Sequence, residues 1–331
     1  MAGDLSNELL HIVDLTITYS PRGSPSVRAL RHANLKIHPG EVIGMLGESG
    51  SGKSTLASAI LRLLPRDAHN ESGSVMFQGS NLLTMTEMDL REVRGKAISL
   101  VSQDPALSLN PVIRVGDQIA EVLRAHGATS RSARRRQVEE LLRSVGFDSP
   151  RQVYYAYPHQ LSGGQRQRIA IAEAIACHPV LVIADEPTSK LDASLQTEMI
   201  TLLAEIRTQR GTAFLVISHD PTIFPGFADR IAVMYGGQIV EEGKTEDIFR
   251  KPLHPYTQAL VGLSERYIVN VRGSRAPLPV IDGEAPDLSR ISIGCRFEPR
   301  CSDRMQMCAN CDPRELTPEP LRRVSCFKYG S

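Results

Sequence analysis

Apolar and polar residues change their period repeatedly along this chain, and the changes mark its elements. Leu9–Tyr19 (LLHIVDLTITY) and Ala29–Ile37 (ALRHANLKI) alternate as strands with one buried face do, and Pro39–Glu41 turns the chain after the second. Val42–Gly47 (VIGMLG) does not alternate. A short, nearly unbroken apolar run of this kind reads as a parallel strand buried on both faces. Ser54–Leu64 (STLASAILRLL) then shifts to helical spacing. Gly73–Gly79, Ala97–Asp104, Val180–Pro187 and Thr212–Asp220 read as further strands, and Arg230–Gly243 as a hairpin turning at Gly236 and Gly237. Between Asp104 and His159 the pattern is helical, over Val115–Gly127 and Ser132–Phe147, with no strand between. The expectation is an α/β domain with a helical subdomain inserted at about 104–160. From about Leu263 proline and arginine accumulate and periodicity fades, which reads as extended chain and loop.

Composition narrows the function classes. The chain has 331 residues, 41% apolar and 23% charged, and a net charge of +1. A near-neutral balance provides no global field for nucleic acid, so no nucleic-acid partner is expected. The basic run Arg131–Arg136 reads as a solvated helix face rather than an anionic-partner site. No apolar run reaches the roughly 18 residues of a membrane span. The first residues carry acids before their apolar stretch and no basic leader, so a secretory signal is not expected. Any membrane role is expected to come through a partner. Five of the six cysteines (Cys295, Cys301, Cys308, Cys311 and Cys326, with Cys177 apart) lie near the C-terminus. In a reducing compartment such a cluster reads first as a metal or cluster site.

The chemistry starts at GESGSGKS, Gly47–Ser54, which fits G-x-x-x-x-G-K-[ST] between a buried strand and a helix. Gly47, Glu48, Ser49, Gly50, Ser51 and Gly52 can curl successive backbone N–H groups around an anion, and the helix dipole adds positive charge there. Lys53 is expected to reach the β- and γ-phosphates, Ser54 to ligate Mg²⁺, and Thr55 to complete the loop. The apolar strand VLVIADEP ends in two adjacent carboxylates. Asp185 is expected to hold Mg²⁺ and Glu186 to orient and polarise the attacking water. LSGGQRQRIAIAEAIA (Leu161–Ala176) opens a second helix with a hydroxyl and two glycines, again an anion site. One nucleotide has one γ-phosphate, so the second helix start is expected to serve the ATP of another subunit.

These segments, in this order, resemble the ABC-type ATPases from about Leu9 to Gly243. The resemblance implies a P-loop NTPase of mixed-sheet α/β core, with an antiparallel β subdomain, an inserted helical subdomain and a Cys-containing C-terminal extension. It implies domains at 1–262 and 263–331. It further implies that Tyr19 stacks on adenine and that Gln103 contacts Mg²⁺ and the water. Ser162, Gly163, Gly164 and Gln165 would face the partner's γ-phosphate. Ser189–Asp192 would cross between subunits, with Asp192 at the nucleotide, and His219 would hydrogen-bond the γ-phosphate. Lys190 departs from the family, which usually has a small residue there. Glu186 and His219 are both present, so hydrolytic competence is expected.

Lys251–Val261 (KPLHPYTQALV), Tyr157–Gln165, Ser102–Pro111 and Gly294–Cys301 (GCRFEPRC) resemble one subfamily, the ATPase subunits of dipeptide/oligopeptide and nickel importers. That resemblance implies a peripheral subunit on the cytoplasmic face of the inner membrane. Its partners would be a second, related ATPase subunit (a heterodimer), two membrane permease subunits and, indirectly, an extracytoplasmic solute-binding protein. Peptide is the first expectation for cargo and nickel or another small solute the second. A soluble ABC ATPase in a nucleic-acid or redox-sensing role is the rival reading. The spacing C-x5-C-x6-C-x2-C-x14-C allows a [4Fe–4S] cluster, tetrahedral zinc or buried reduced thiols. By resemblance the cluster ligands are Cys295, Cys301, Cys308 and Cys326, with Cys311 spare. Cys177 and His254 read as structural.

Overall fold

The structure, a computed structural model, describes residues 8–127, 130–262, 281, 283–284, 286–289 and 293–330. Along the chain run β1 (Leu10–Tyr19), β2 (Val27–Ile37), β3 (Val42–Leu46), α1 (Lys53–Ile60), β4 (Ala68–Phe77), β5 (Ser80–Asn81), α2 (Glu87–Val93), β6 (Ile98–Val101) and α3 (Pro105–Ser108). The helices α4 (Val115–His126), α5 (Arg131–Ser144), α6 (Pro150–Tyr155) and α7 (Gly163–Ala174) follow. Next come β7 (Leu181–Asp185), α8 (Ala193–Arg210), β8 (Ala213–Ser218), β9 (Arg230–Tyr235), β10 (Gln238–Lys244) and α9 (Thr245–Arg250). Two short strands, β11 (Leu316–Glu319) and β12 (Arg322–Val324), lie near the C-terminus. The expected domain boundary near Leu263, and most of the proline- and arginine-rich stretch after it, lie outside the described residues.

The chain forms two compact units. The first draws on Met1–His38, Val42–Leu83 and Ser218–Ser331. One of its layers is antiparallel, in the order β2-β1-β4-β5. Leu10 and Ile12, then Leu15 and Ile17, are fully buried along β1. The switch from even to odd positions coincides with a bulge between Ile12 and Leu15, where Asp14 takes a φ of 50°. One extra residue there returns the apolar set to the same face. The other layer is mixed: β3 pairs parallel with β9, and β9, β10, β12 and β11 continue antiparallel. β3 is buried at every position, as its unbroken apolar sequence requires.

The second unit draws on Pro39–Glu41 and Thr84–Ile217. Its parallel strands run in the order β8-β7-β6. The helical insertion packs on small and aliphatic contacts: Gly116 of α4 lies so close to the Tyr154 ring that a Cβ would come within 2.3 Å of it. Val138, Leu141 and Leu142 bury one face of α5. In the basic run, Arg135 is engaged inside the insertion, donating to Glu139 at 3.1 Å and lying over the rings of Tyr154 and Tyr155. Among the described residues no helix is long and apolar enough to cross a membrane.

Candidate functional site

β3 ends at Leu46, α1 begins at Lys53, and the six residues between them form the glycine loop. Two glycines are required by geometry. A Cβ on Gly47 would lie 2.2 Å from the Met234 carbonyl oxygen and would push the loop off β9. Gly52, the N-cap of α1, holds a φ of 106°, and a Cβ there would meet the Ala29 oxygen at 2.7 Å. Lys53 is buried, and its Nζ donates to the carbonyls of Gly47 (2.8 Å) and Glu48 (2.7 Å) and to Ser51 Oγ (3.3 Å). The loop is therefore wrapped around an ammonium at the start of a helix. Ser49, Gly50 and Ser54 are exposed beside it. That donor set, a buried cation with exposed loop residues and hydroxyls at a helix N-terminus, fits a polyphosphate. Tyr19 closes one side, with its hydroxyl 3.4 Å from Thr55 Oγ1.

The loop is braced by two residues that lie in the subfamily stretches Lys251–Val261 and Gly294–Cys301, where sequence patterns assigned them no role at the loop. The Glu48 N–H donates to the Tyr256 hydroxyl at 2.8 Å. Arg300 donates twice to the Glu48 carboxylate, at 2.7 and 3.0 Å. These partners stand 208 and 252 positions away, so nothing local could have signalled them.

In the second unit the carboxylates expected at the end of β7 are in place. Asp185 is its last residue, and Glu186 follows with a φ of 50° and 9% exposure. The Glu186 N–H donates to the Ile217 oxygen at 2.9 Å, and its carbonyl accepts from Ser189 N and Oγ at 3.3 and 3.2 Å. This turn aims the side chain into a cleft of about 170 Å³ that Gln103, Gly163, Ser189 and Lys190 also line. Gln103, Glu186 and the start of α7 are thus brought together. Lys190 is paired with Asp104, and this hydrogen bond, with a second from Ala106 N–H, holds the Asp104 carboxyl below the usual range.

α7 opens on a capping box: Ser162 Oγ accepts from Gln165 N–H at 3.2 Å, and Gln165 Oε1 accepts from Ser162 N–H at 2.9 Å. Ser162, Gly163 and Gln165 are exposed, whereas Gly164 is buried against Leu195. Asp192 caps α8, accepting from Leu195 N–H at 3.0 Å. His219 follows β8 and is exposed.

The C-terminal cysteines require a correction. Burial pushes the Cys295 thiol up to about 11 and also raises Cys301 and Cys326, with smaller contributions from the neighbouring thiols. Cys308 Sγ accepts from Met305 N–H at 3.4 Å, and Cys311 is exposed. Among the described residues no three of His, Cys, Asp and Glu are placed to hold a metal ion. The expected [4Fe–4S] ligand set of Cys295, Cys301, Cys308 and Cys326 is therefore not supported. Cys177 is half-buried, and burial raises its thiol; His254 is fully enclosed, with its pKa pushed down to about 3.

Comparison with known proteins supplies the family. The ABC transporter family model matches residues 30–189, and the model of the oligopeptide/dipeptide transporter C-terminal region matches residues 240–308. A probable peptide ABC transporter ATP-binding protein of Sinorhizobium fredii is 41% identical over 323 residues, covering 97% of this chain and 95% of that protein. The chain belongs to the ABC transporter ATPases. The oligopeptide transport ATP-binding protein of Salmonella typhimurium is 39% identical over 324 residues, covering 98% and 94% of the two chains. A solved dimeric ATP-binding cassette in a post-hydrolysis state, bound to ADP and Pi, is 29% identical with a TM-score of 0.64, and the match covers 71% of this chain and 98% of that one. An ABC ATPase of this kind hydrolyses ATP.

Proposed function

We propose that the chain is the ATP-hydrolysing subunit of an importer of di- and oligopeptides, bound peripherally to the cytoplasmic face of the membrane through two permease subunits. The observation that carries the importer class is the match of residues 240–308 to the oligopeptide/dipeptide transporter C-terminal region. The catalytic domain is read as 1–262, with the helical insertion at about 104–160, and the extension as 263–331.

ATP is bound by Gly47–Thr55, with Lys53 on the phosphates and Tyr19 against the base. Mg²⁺, when bound, neutralises phosphate charge, and the hard oxygen donors Ser54, Gln103 and Asp185 suit it. Glu186 orients the attacking water and accepts its proton, and His219 steadies the γ-phosphate. Ser162, Gly163, Gly164 and Gln165 complete the site of a second, related ATPase subunit, with Asp192 in the crossing loop. Nucleotide-driven pairing moves the helical insertions against the permeases, and hydrolysis releases the pair. The proposal needs no metal at the C-terminal cysteines.

Reconstitution tests the cargo. The chain would be assembled in vesicles with the permeases that co-purify with it and their solute-binding protein. ATPase activity is expected to rise when the binding protein is loaded with a di- or oligopeptide. Stimulation by nickel alone, with no response to peptide, would reassign the cargo.

A further inference from the structure

The cysteine-bearing C-terminal segment reaches back to the phosphate-binding loop at two points. At the first, Arg300 lays both terminal nitrogens on Glu48, Nη1 to Oε2 at 2.7 Å and Nη2 to Oε1 at 3.0 Å. Its side chain is only 6% exposed, so this is not a loose surface pair. Nη1 also donates to the Tyr235 hydroxyl at 3.3 Å and Nη2 to the Ile281 oxygen at 3.2 Å. At the second point, Arg296 donates to the carbonyl of Gly236, and the N–H of the next residue, Gly237, donates to the Ser51 carbonyl at 2.8 Å. Between the two arginines Phe297 is buried against the rings of Tyr235, His254 and Tyr256, with centroids 5.1–5.8 Å apart.

The consequence for Glu48 is complete engagement. Its N–H is taken by Tyr256, its carbonyl by Lys53 and by Ser51 N–H, and both carboxylate oxygens by Arg300. A glycine-rich loop has many conformations, and ordering them opposes ligand binding. A planar bidentate fork fixes both the position and the rotation of the carboxylate it holds. We infer that Arg300 is a positioning residue for the phosphate-binding loop: it pre-sets Glu48, and so couples nucleotide affinity to the folding of the cysteine-bearing segment. The coupling is reciprocal, because whatever favours the ordered loop favours the ordered segment. The inference rests on reading Gly47–Thr55 as the nucleotide site.

A double-mutant cycle on the full-length chain tests it, with a fluorescent ATP analogue and Mg²⁺ as probe. Arg300→Ala and Glu48→Gln are each expected to weaken binding about tenfold, and the double variant no further, because both remove one contact. Arg300→Lys, which keeps the charge and loses the fork, is expected to restore affinity only in part. In ATPase assays of Arg300→Ala, KM rises while kcat stays within about twofold, since the loop still closes at saturating nucleotide. Multiplying losses, or unchanged affinity in Arg300→Ala, would overturn the inference. Lys53→Ala separates the two readings. If it leaves affinity intact, the loop is not the nucleotide site; if it abolishes binding while Arg300→Ala does nothing, only the brace is refuted. Should Arg300→Ala fail to fold, labelling of Cys301 by a thiol reagent provides the readout. Nucleotide is expected to slow it several-fold in the native chain and not in Glu48→Gln, and equal rates with and without nucleotide in the native chain would refute the coupling.

Discussion

Glu186 holds a left-handed backbone conformation that a branched or bulky residue rarely takes, at the end of a strand where every other position is ordinary. Strain of this kind persists when neighbours fix it, and here Ile217 and Ser189 do so from both sides of the peptide. The side chain is what the strain serves. Glu186→Gln keeps the shape and removes the base, so turnover is expected to fall by at least about 100-fold with nucleotide binding retained; single-turnover hydrolysis measured beside equilibrium binding checks both halves. His254 gives a pH prediction. Its Nδ1 accepts from Tyr256 N–H at 3.0 Å, and full burial pushes its pKa from 6.5 to about 3. The native chain therefore stays neutral there while the unfolded chain takes a proton below pH 6.5. Stability present above pH 6.5 is lost as the pH falls towards 3, by about 2 kcal/mol at pH 5 from this group. Urea midpoints of the native chain and His254→Asn at pH 7.5 and 5 should show a smaller drop in the variant; equal drops would remove His254 from the account.

At the scale of elements, legibility followed how much of a segment's stability is hydrophobic and local. β3, β7 and β8 announce themselves because nearly every residue is buried. β4 was expected to start at Gly73 and starts at Ala68: residues 69–72 are polar, His69, Asn70 and Glu71 are exposed, and the stretch pairs with β1 without burying an apolar side chain. α3 has four residues, too few for a period to show, and is set by the Asp104 cap and Pro105. β11 and β12 were not legible at all. β12 is joined to β10 by the buried pair of Arg322 and Glu241, 2.8 Å apart, whose side chains are 3% and 0% exposed. Glu241 also accepts from Leu253 and His254 N–H, both at 2.8 Å, which hold its side chain in this enclosed place when Arg322 is removed. Arg322→Ala is expected to cost about 3 kcal/mol by stranding that carboxylate. A guanidinium midpoint within experimental error of the native chain would contradict this.

For the whole molecule, the short, ordered motifs that phosphate chemistry demands were legible, whereas the contacts of the C-terminal brace were not, because Tyr256 and Arg300 meet Glu48 only through the fold. The cysteine spacing was legible as a group of neighbouring thiols, but spacing alone does not fix the distances a metal site needs. The account as a whole depends on ATP being held at Gly47–Thr55 and on a second ATPase subunit completing the site. The most direct measurement uses Glu186→Gln purified with its membrane partners and examined by sedimentation with and without Mg-ATP. The predicted result is an ATP-dependent paired state that retains unhydrolysed nucleotide and is lost on adding Lys53→Ala. Normal turnover in Glu186→Gln, or no pairing of the ATPase subunits at saturating Mg-ATP, would contradict it.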